Sequence, residues 1–220
     1  MCVPTAVPDR QAGTVTTDCD LTNTVAMLMQ SRQTILPKRL TAPGPDAEQL
    51  HLILEAAASA PDHGQLLPWR FVIVQAGARD QLAEVFGSAL QERDPHASAE
   101  QVQQARDKAH RSPLLLLAIV DAQRGDPEID LHERIVSAGC AVQNMLLMAT
   151  ALGYGSALTS GKALKSDSLR LLFDLTDGEY ALCFVNIGTV LSHKHPRLRP
   201  VVADYVALLS ADDGVKPLSR

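Results

Sequence analysis

Apolar residues recur at steps of three and four along several stretches of the chain, which is the spacing of one face of an α-helix. The clearest stretch begins at Asp46. There Asp46 and Gln49 have the pattern of a capping box, and apolar residues follow at helical spacing until Pro61 ends the pattern. Ser98 and Gln101 have the same capping pattern at the start of a polar helix. Helices are predicted over about 21–31, 46–60, 80–90, 98–110, 131–152 and 166–172.

Three other stretches are typical of β-strands. Leu114–Asp121 is a continuous apolar run, as in a strand that is buried on both faces. Arg70–Gln75 and Tyr180–Val190 also read as strands, and Val201–Leu209 reads as either a last strand or an arm. Because these strands do not alternate strictly with single helices, the pattern predicts an α+β domain, with helices packed on a sheet, rather than a doubly wound fold.

The remaining segments lack apolar periodicity. Ile35–Pro45 contains three prolines and a glycine and is predicted to be irregular, and residues 153–161 follow the long helix as a loop with a glycine at the helix end. Residues 214–220 are expected to be loose. The chain is thus predicted to divide into a flexible N-terminal extension over 1–20, a domain over 21–210 and a C-terminal tail over 211–220.

Composition and charge narrow the class of protein. The 220 residues are 46% hydrophobic, enough for one domain with a substantial core. A net charge of −5 argues against general binding to nucleic acid or to anionic membranes, which requires a basic surface. The chain has no signal-peptide pattern and no apolar run long enough to span a bilayer, so a cytoplasmic protein is expected.

The four cysteines give no sign of a metal site. They form no C-x-x-C pair and have no zinc-like spacing with histidine, so no metal is predicted. Cys140 and Cys183 lie inside apolar segments and are expected to pack as small hydrophobic residues in a protein from a reducing compartment.

The candidate chemistry centres on residues 60–74, where a helix ends and a strand begins. This polar turn contains Asp62, His63 and Trp69, the single tryptophan of the chain. No nucleophile elbow, H-E-x-x-H motif or P-loop is present, so the chemistry is expected to belong to a cofactor. Each residue also has a plain structural explanation: His63 as a turn residue that bonds its own backbone, and Trp69 as core packing.

Three motifs together resemble the FMN-dependent nitroreductase family. The first is Ala-Pro-Asp-His-x-x-x-x-Pro-Trp-x-Phe at 60–71. The second is Ser-Ala-Gly-Cys-Ala-Val-Gln-Asn-Met at 137–145, leading into Gly-Tyr-Gly at 153–155, and the third is Phe-Val-Asn-Ile-Gly-Thr at 184–189. The resemblance implies a three-layer α+β fold, in which a central, mostly antiparallel sheet is flanked by helices. It also implies a homodimer with two FMN molecules in the interface.

The resemblance also implies contacts to FMN from both chains. Arg32, Gln33 and Thr34 match an Arg-Arg-Ser-like tripeptide that binds the flavin, with Gln33 replacing an arginine. His63 matches a histidine that contacts the FMN of the partner chain. A basic residue that family members often carry before Pro61 corresponds to Ala58 or Ser59, so Ser59 is an uncharged candidate contact.

Two further segments complete the set of FMN contacts that the resemblance implies. Leu158, Thr159 and Ser160 match a Trp-Arg-Ser-like segment, with an aromatic residue and an arginine replaced. The basic cluster at 194–199 matches residues near the flavin phosphate, and Lys194 and Arg197 are its candidates to compensate for the missing arginines.

The implied activity is a ping-pong transfer of hydride from NADH or NADPH through FMN to a nitroaromatic or quinone-type acceptor. No side chain is expected to act as a catalytic acid or base. Two alternatives stay open: a different reaction on the same fold, such as dehydrogenation, dehalogenation or flavin fragmentation, or a flavin-binding protein without turnover.

Overall fold

The computed structural model describes residues 19–192, 198–212 and 214–219. The predicted extension over residues 1–20 lies mostly outside this range, and Lys194 and Arg197 lie outside it as well. The α-helices in the described residues are α1 (Cys19–Ser31), α2 (Ala47–Ala57), α3 (Arg79–Arg93), α4 (Ala99–Arg106), α5 (Leu131–Ala151) and α6 (Asp167–Leu172). The strands there are β1 (Leu40–Thr41), β2 (Trp69–Ile73), β3 (Leu114–Asp121), β4 (Gly155–Thr159), β5 (Glu179–Val190), β6 (Ala207–Ser210) and β7 (Gly214–Pro217).

Strand β5 is the centre of an antiparallel sheet. It pairs with β3, β4 and β1, and β2 pairs with the other edge of β3. A separate hairpin joins β6 to β7. Every strand pair in the described residues is antiparallel, and Thr34 adds a single parallel bridge to Ser156 of β4.

Alternate residues of β3 face two different helical layers, because successive side chains of a strand point to opposite faces. Leu114, Leu116 and Ala118 pack in a cluster with residues of α2 and α5. Residues Leu115, Leu117 and Ile119 pack in a second cluster with residues of α3 and α6. The prediction of a three-layer α+β fold with a mostly antiparallel sheet is confirmed.

Local signals set the helix starts. Asp46 and Ser98 form the predicted capping boxes with Gln49 and Gln101. The side chain of each cap residue accepts from the backbone N–H of the glutamine, and the side-chain oxygen of the glutamine accepts from the backbone N–H of the cap residue. The carboxylate of Asp130 caps α5 by accepting from the backbone N–H of His132, and this contact with His132 lowers the pKa of Asp130 below its ordinary value.

Several segments that were predicted to be irregular are ordered. Residues 155–159 form strand β4, where a loop was predicted, because they pair with β5 although they show no apolar alternation. A 3₁₀-helix over Pro37–Arg39 and the short strand β1 lie within 35–45. Strand β7 lies within the segment predicted to be loose, and its hairpin with β6 crosses the predicted boundary between 210 and 211.

A partly buried ion pair joins β2 to β5. The guanidinium of Arg70 donates from Nε to Oε1 of Glu179 at 2.5 Å and from Nη2 to Oε2 at 2.9 Å, and the N–H of Thr176 donates to Oε2 at 3.1 Å. The hydrogen bond from Arg70 is the main cause that lowers the pKa of Glu179 below its ordinary value of 4.5, and burial opposes it. The charged form of Glu179 therefore stabilises the fold.

We expect Glu179→Gln to lower the free energy of unfolding at neutral pH by about 1–3 kcal/mol, because a charge-assisted pair is lost. Since the pKa is lower in the folded state, this contribution is complete above 4.5 and is lost as the pH falls through the folded pKa. Urea denaturation at several pH values should therefore show the two proteins converging in acid. Glu92→Gln, on the exposed side of α3, is the control, and a difference that does not change with pH would contradict the assignment.

Candidate functional site

The turn over residues 60–67 is held in a specific backbone shape. A carboxylate oxygen of Asp62 accepts from the N–H of Leu67 at 2.6 Å, which closes the turn. Gly64 has a φ of +66°, a left-handed conformation that glycine adopts without cost. The side chain of His63 is exposed on the outside of this turn.

Two side chains of the first motif bond to the same end of α5. Nδ1 of His63 lies 2.8 Å from Oε2 of Glu133, and Nε1 of Trp69 donates to Oγ of Ser137 at 3.0 Å. The Trp69 ring also packs on the core cluster of α2 and α5, as expected for a packing residue. A shallow concavity lies over this junction, and its lining residues are Pro61, Asp62, His63, His132, Glu133, Val136 and Ser137.

The loop between β3 and α5 supports the 60–67 turn from behind. Ile129 of this loop lies 3.3 Å from the position that a Cβ on Gly64 would take, and a Cβ on Gly125 would collide with Leu66. The loop is in turn held by Arg134, whose side chain is almost completely buried. The turn that carries His63 is thus backed by an ordered loop.

Arg134 holds the loop entirely through backbone carbonyls. Its guanidinium donates to the carbonyl oxygens of Ile129, Asp121, Arg124 and Asp126 at 2.9, 3.3, 2.5 and 2.6 Å. The sequence interpretation did not identify this residue. One signal was present: position 134 lies on the apolar face of α5, three residues before the buried Ser137.

The segment Arg32–Thr34 follows directly after α1 and lies against β4. Thr34 bridges Ser156, and the N–H of the next residue, Ile35, donates to the carbonyl of Ser156 at 2.9 Å. The guanidinium of Arg199 donates to the carbonyl of Arg32 at 2.8 Å. The C-terminal basic cluster, through its described member Arg199, therefore meets the segment that was predicted to bind phosphate.

Residues 158–160 form the end of β4 and the turn after it. Leu158 is 45% exposed, and Thr159 is half-buried. Oγ1 of Thr159 accepts from Nδ2 of Asn186 at 3.0 Å, and Oδ1 of the buried Asn186 accepts from Oγ of Ser112 at 3.0 Å. The sequence interpretation did not assign a role to Asn186, which fixes the end of β4.

The structure thus brings the predicted site residues together in two groups. The first group lies along β4, with Arg32, Gln33 and Thr34 near its start, where Thr34 bridges Ser156, and Leu158, Thr159 and Ser160 at its end. The second group lies around the end of α2 and the start of α5, and it contains Ser59 in the exposed turn after α2 and His63. Helix α5 has 21 residues and is about 30 Å long, so Glu133, the partner of His63, lies far from the end of the helix that leads into β4.

The thiol of Cys183 is held in the core of the domain. Burial raises the pKa of Cys183 to about 11, so its thiol stays protonated at neutral pH, and it packs on the α2–α5 core as predicted. Within the described residues, no cluster of three or more histidine, cysteine, aspartate or glutamate side chains could hold a metal ion. No described helix combines the length and apolar character needed to cross a bilayer.

Comparisons with known proteins agree with the fold and the motifs. A model of the Nitroreductase family matches residues 29–189. The chain is 32% identical over 173 residues to the Haemophilus influenzae protein named "Putative NAD(P)H nitroreductase", covering 78% of this chain and 93% of the relative. It is 31% identical over 153 residues to YdjA of Escherichia coli, which bears the same designation, covering 69% and 81% of the two chains.

Solved structures share the fold. A nitroreductase-like family protein from Bacillus cereus superposes with a TM-score of 0.72 at 17% identity, covering 84% of this chain and 95% of the other. A nitroreductase with bound FMN from Bacteroides fragilis gives a TM-score of 0.65 at 18% identity, covering 84% and 98%. An antiparallel sheet between two helical layers, with these motifs in β2, β5 and α5, defines a nitroreductase-like α+β protein. The chain belongs to the nitroreductase family and is an oxidoreductase.

Proposed function

We propose that the protein is an FMN-dependent NAD(P)H oxidoreductase that reduces nitroaromatic or quinone-type acceptors. The observation that carries the proposal is the position of Arg32–Thr34 against Ser156 of β4, the strand that contains Leu158 and Thr159, in a chain of the nitroreductase family. These are the two segments whose counterparts bind flavin in the family that the motifs resemble. Bound FMN in the Bacteroides fragilis relative supports the same cofactor.

The residues around β4 fit an anionic, hydroxyl-rich group. Oγ of Ser156 is buried, beside Thr34, and has no hydrogen-bond partner within the described part of the chain. The Arg32 side chain is half-buried, and within the same described ranges its guanidinium makes no hydrogen bond or ion pair. A guanidinium and a hydroxyl group without partners match the oxygens of a phosphate and a ribityl chain, so FMN fits this place.

In this proposal Arg32, Gln33 and Thr34 bind the phosphate end and the ring edge, while Leu158, Thr159 and Ser160 lie along the ring. Bound FMN would supply the two-electron chemistry. The side chains bind and orient it, and Leu158 gives the acceptor side an aliphatic surface. Lys194 and Arg197 remain candidates for the phosphate, in a segment that the structure does not describe.

A homodimer is part of the proposal. The predicted flavin contacts form two groups that lie at different parts of α5, as expected if each FMN is contacted by both chains. Large apolar side chains are also exposed along α1 and at the start of α5. These residues are Leu21, Val25, Met27, Met29, Ile135 and Val136. Contact with a second copy would remove this apolar surface from water.

The proposal predicts a yellow protein whose flavin absorbance bleaches when NADH or NADPH is added without oxygen. The absorbance should return when a nitroaromatic compound or a quinone is then added, because the acceptor takes the two electrons. Stopped-flow absorbance under anaerobic conditions measures both half-reactions. Bleaching without reoxidation by either acceptor would favour a different reaction on the same fold, and failure to bind FMN at all would contradict the proposal.

A further inference from the structure

The His63–Glu133 pair joins the first motif to α5 and has no role in the proposed function as stated above. Resting on that function, we propose that Glu133 is a positioning residue that orients the His63 imidazole and holds its proton on Nδ1. The other ring nitrogen, Nε2, then faces the flavin of the partner chain. The geometry is a distance of 2.8 Å between Nδ1 of His63 and Oε2 of Glu133.

The direction of the hydrogen bond follows from its partners. An ionised carboxylate can only accept, so Nδ1 of His63 must carry the hydrogen. In a neutral imidazole, the second nitrogen is then an acceptor, and in the charged form it is a donor. In either state Nε2 is the ring nitrogen that remains for a ligand.

Among the described side chains near His63, Glu133 is the one in place to orient the imidazole ring. The neighbouring carboxylate of Asp62 is engaged by the N–H of Leu67, and His132 pairs with Asp130. Within the ranges that the structure describes, Glu133 is the only side chain that bonds to the His63 ring. The backbone of the turn is fixed by Asp62 and by the loop behind it, whereas the exposed imidazole would rotate freely without Glu133.

The pair is therefore expected to affect ligand binding more than stability. The side chains of His63 and Glu133 are 67% and 52% exposed, and pairs with such exposure contribute little to folding. Pre-orienting a contact residue, by contrast, removes part of the ordering cost when the ligand binds. Glu133 variants should thus unfold at the wild-type temperature and differ from wild type in FMN affinity.

The tautomer can be measured directly by long-range ¹⁵N–¹H correlation spectroscopy of the histidine rings. The chain has seven histidines, and His63→Ala identifies the signal of His63 by its loss. We expect a proton on Nδ1 in the wild type and the Nε2–H tautomer of an unpaired imidazole in Glu133→Ala. An unchanged signal in Glu133→Ala would overturn the proposal, whether or not FMN is bound.

The consequence for the flavin is tested by titrating the FMN-free protein with FMN and following flavin fluorescence. Glu133→Ala should raise the Kd by about threefold or more, and Glu133→Gln, whose amide oxygen can still accept, should restore part of the loss. In the His63→Ala background, Glu133→Ala should have no further effect, because the residue it orients is gone. Glu128→Ala, which removes an equal charge from the preceding loop, is the control.

The outcomes separate the two proposals. If His63→Ala weakens FMN binding and Glu133→Ala does not, the proposed function stands and the positioning role is overturned. If the double variant binds FMN more weakly than His63→Ala alone, Glu133 acts on the flavin independently and the proposal is also overturned. If the wild type binds no FMN, the proposed function and the flavin part of this inference fail together, and the tautomer measurement still decides whether Glu133 orients His63.

Discussion

Replacing Arg134 with methionine is expected to lower the free energy of unfolding by about 3–5 kcal/mol, because four charge-assisted hydrogen bonds are lost from a buried site. Methionine fills much of the same space but cannot donate to the carbonyls of Ile129, Asp121, Arg124 and Asp126. Those oxygens would then lose their charged donor. The oxygen of Asp126 would keep the N–H of Ile129, at 3.3 Å, and water would have to replace the lost bonds. Urea denaturation measures the change.

The effect should also be local. Hydrogen exchange of backbone amides in residues 121–130 should become faster in Arg134→Met, and exchange in the 60–67 turn should follow, because Ile129 and Gly125 contact that turn. Exchange in α4 should not change. Arg124→Met, which removes an exposed arginine of the same loop, is the matched control. Equal stability of Arg134→Met and wild type would show that the loop does not depend on this guanidinium.

Replacing Arg32 with alanine is expected to raise the Kd for FMN by about 10- to 100-fold, since one charge-assisted contact to a phosphate is lost. Arg32 follows α1 and stands two residues before Thr34, which bridges Ser156, and the buried hydroxyl of Ser156 has no partner in the described residues. Stability should change little, because the side chain of Arg32 makes no hydrogen bond or ion pair within those residues. Fluorescence titration of the FMN-free protein measures the Kd.

Two further variants test whether the effect on FMN binding is specific to Arg32. Arg111→Ala removes an exposed arginine elsewhere and should leave the Kd unchanged. Arg199→Ala should have a smaller effect than Arg32→Ala, because Arg199 donates to the backbone carbonyl of Arg32 and supports the segment. An unchanged Kd in Arg32→Ala would remove Arg32 from the proposed site. The basic cluster at 194–199 would then be the candidate for contact with the phosphate.

Much of the fold could be predicted because its signals are local. The capping boxes at Asp46 and Ser98 need only side chains three residues apart, and both form as expected. Strand β3 is recognisable because every residue from Leu114 to Val120 is apolar, as burial on both faces requires. Strand β4 was missed because Gly-Ser-Ala-Leu-Thr has no alternation, and only its pairing with β5 orders it.

The candidate site, like the fold, was predicted in part from the sequence. The sequence motifs identified the segments around Arg32, His63 and Leu158, and the structure places the first of these segments against Ser156 of β4, the strand that contains Leu158. Whether these residues bind FMN stays a prediction. No local pattern could pair His63 with Glu133, which is 70 residues away, or identify the carbonyls that Arg134 holds. The His63–Glu133 pair depends on how distant segments pack, and the carbonyls that Arg134 holds depend on the shape of an irregular loop.

The sequence by itself determined the family motifs, the main helices and the strands with strong apolar patterns, because propensity, capping and periodicity act between near neighbours. Only the tertiary structure decided the position of β4, the loop held by Arg134 and the orientation of His63. The position of β4 and the orientation of His63 rest on hydrogen bonds to segments that are far away in the chain. The partners of Arg134 are nearer in the chain, but they lie in an irregular loop that no periodic pattern specifies.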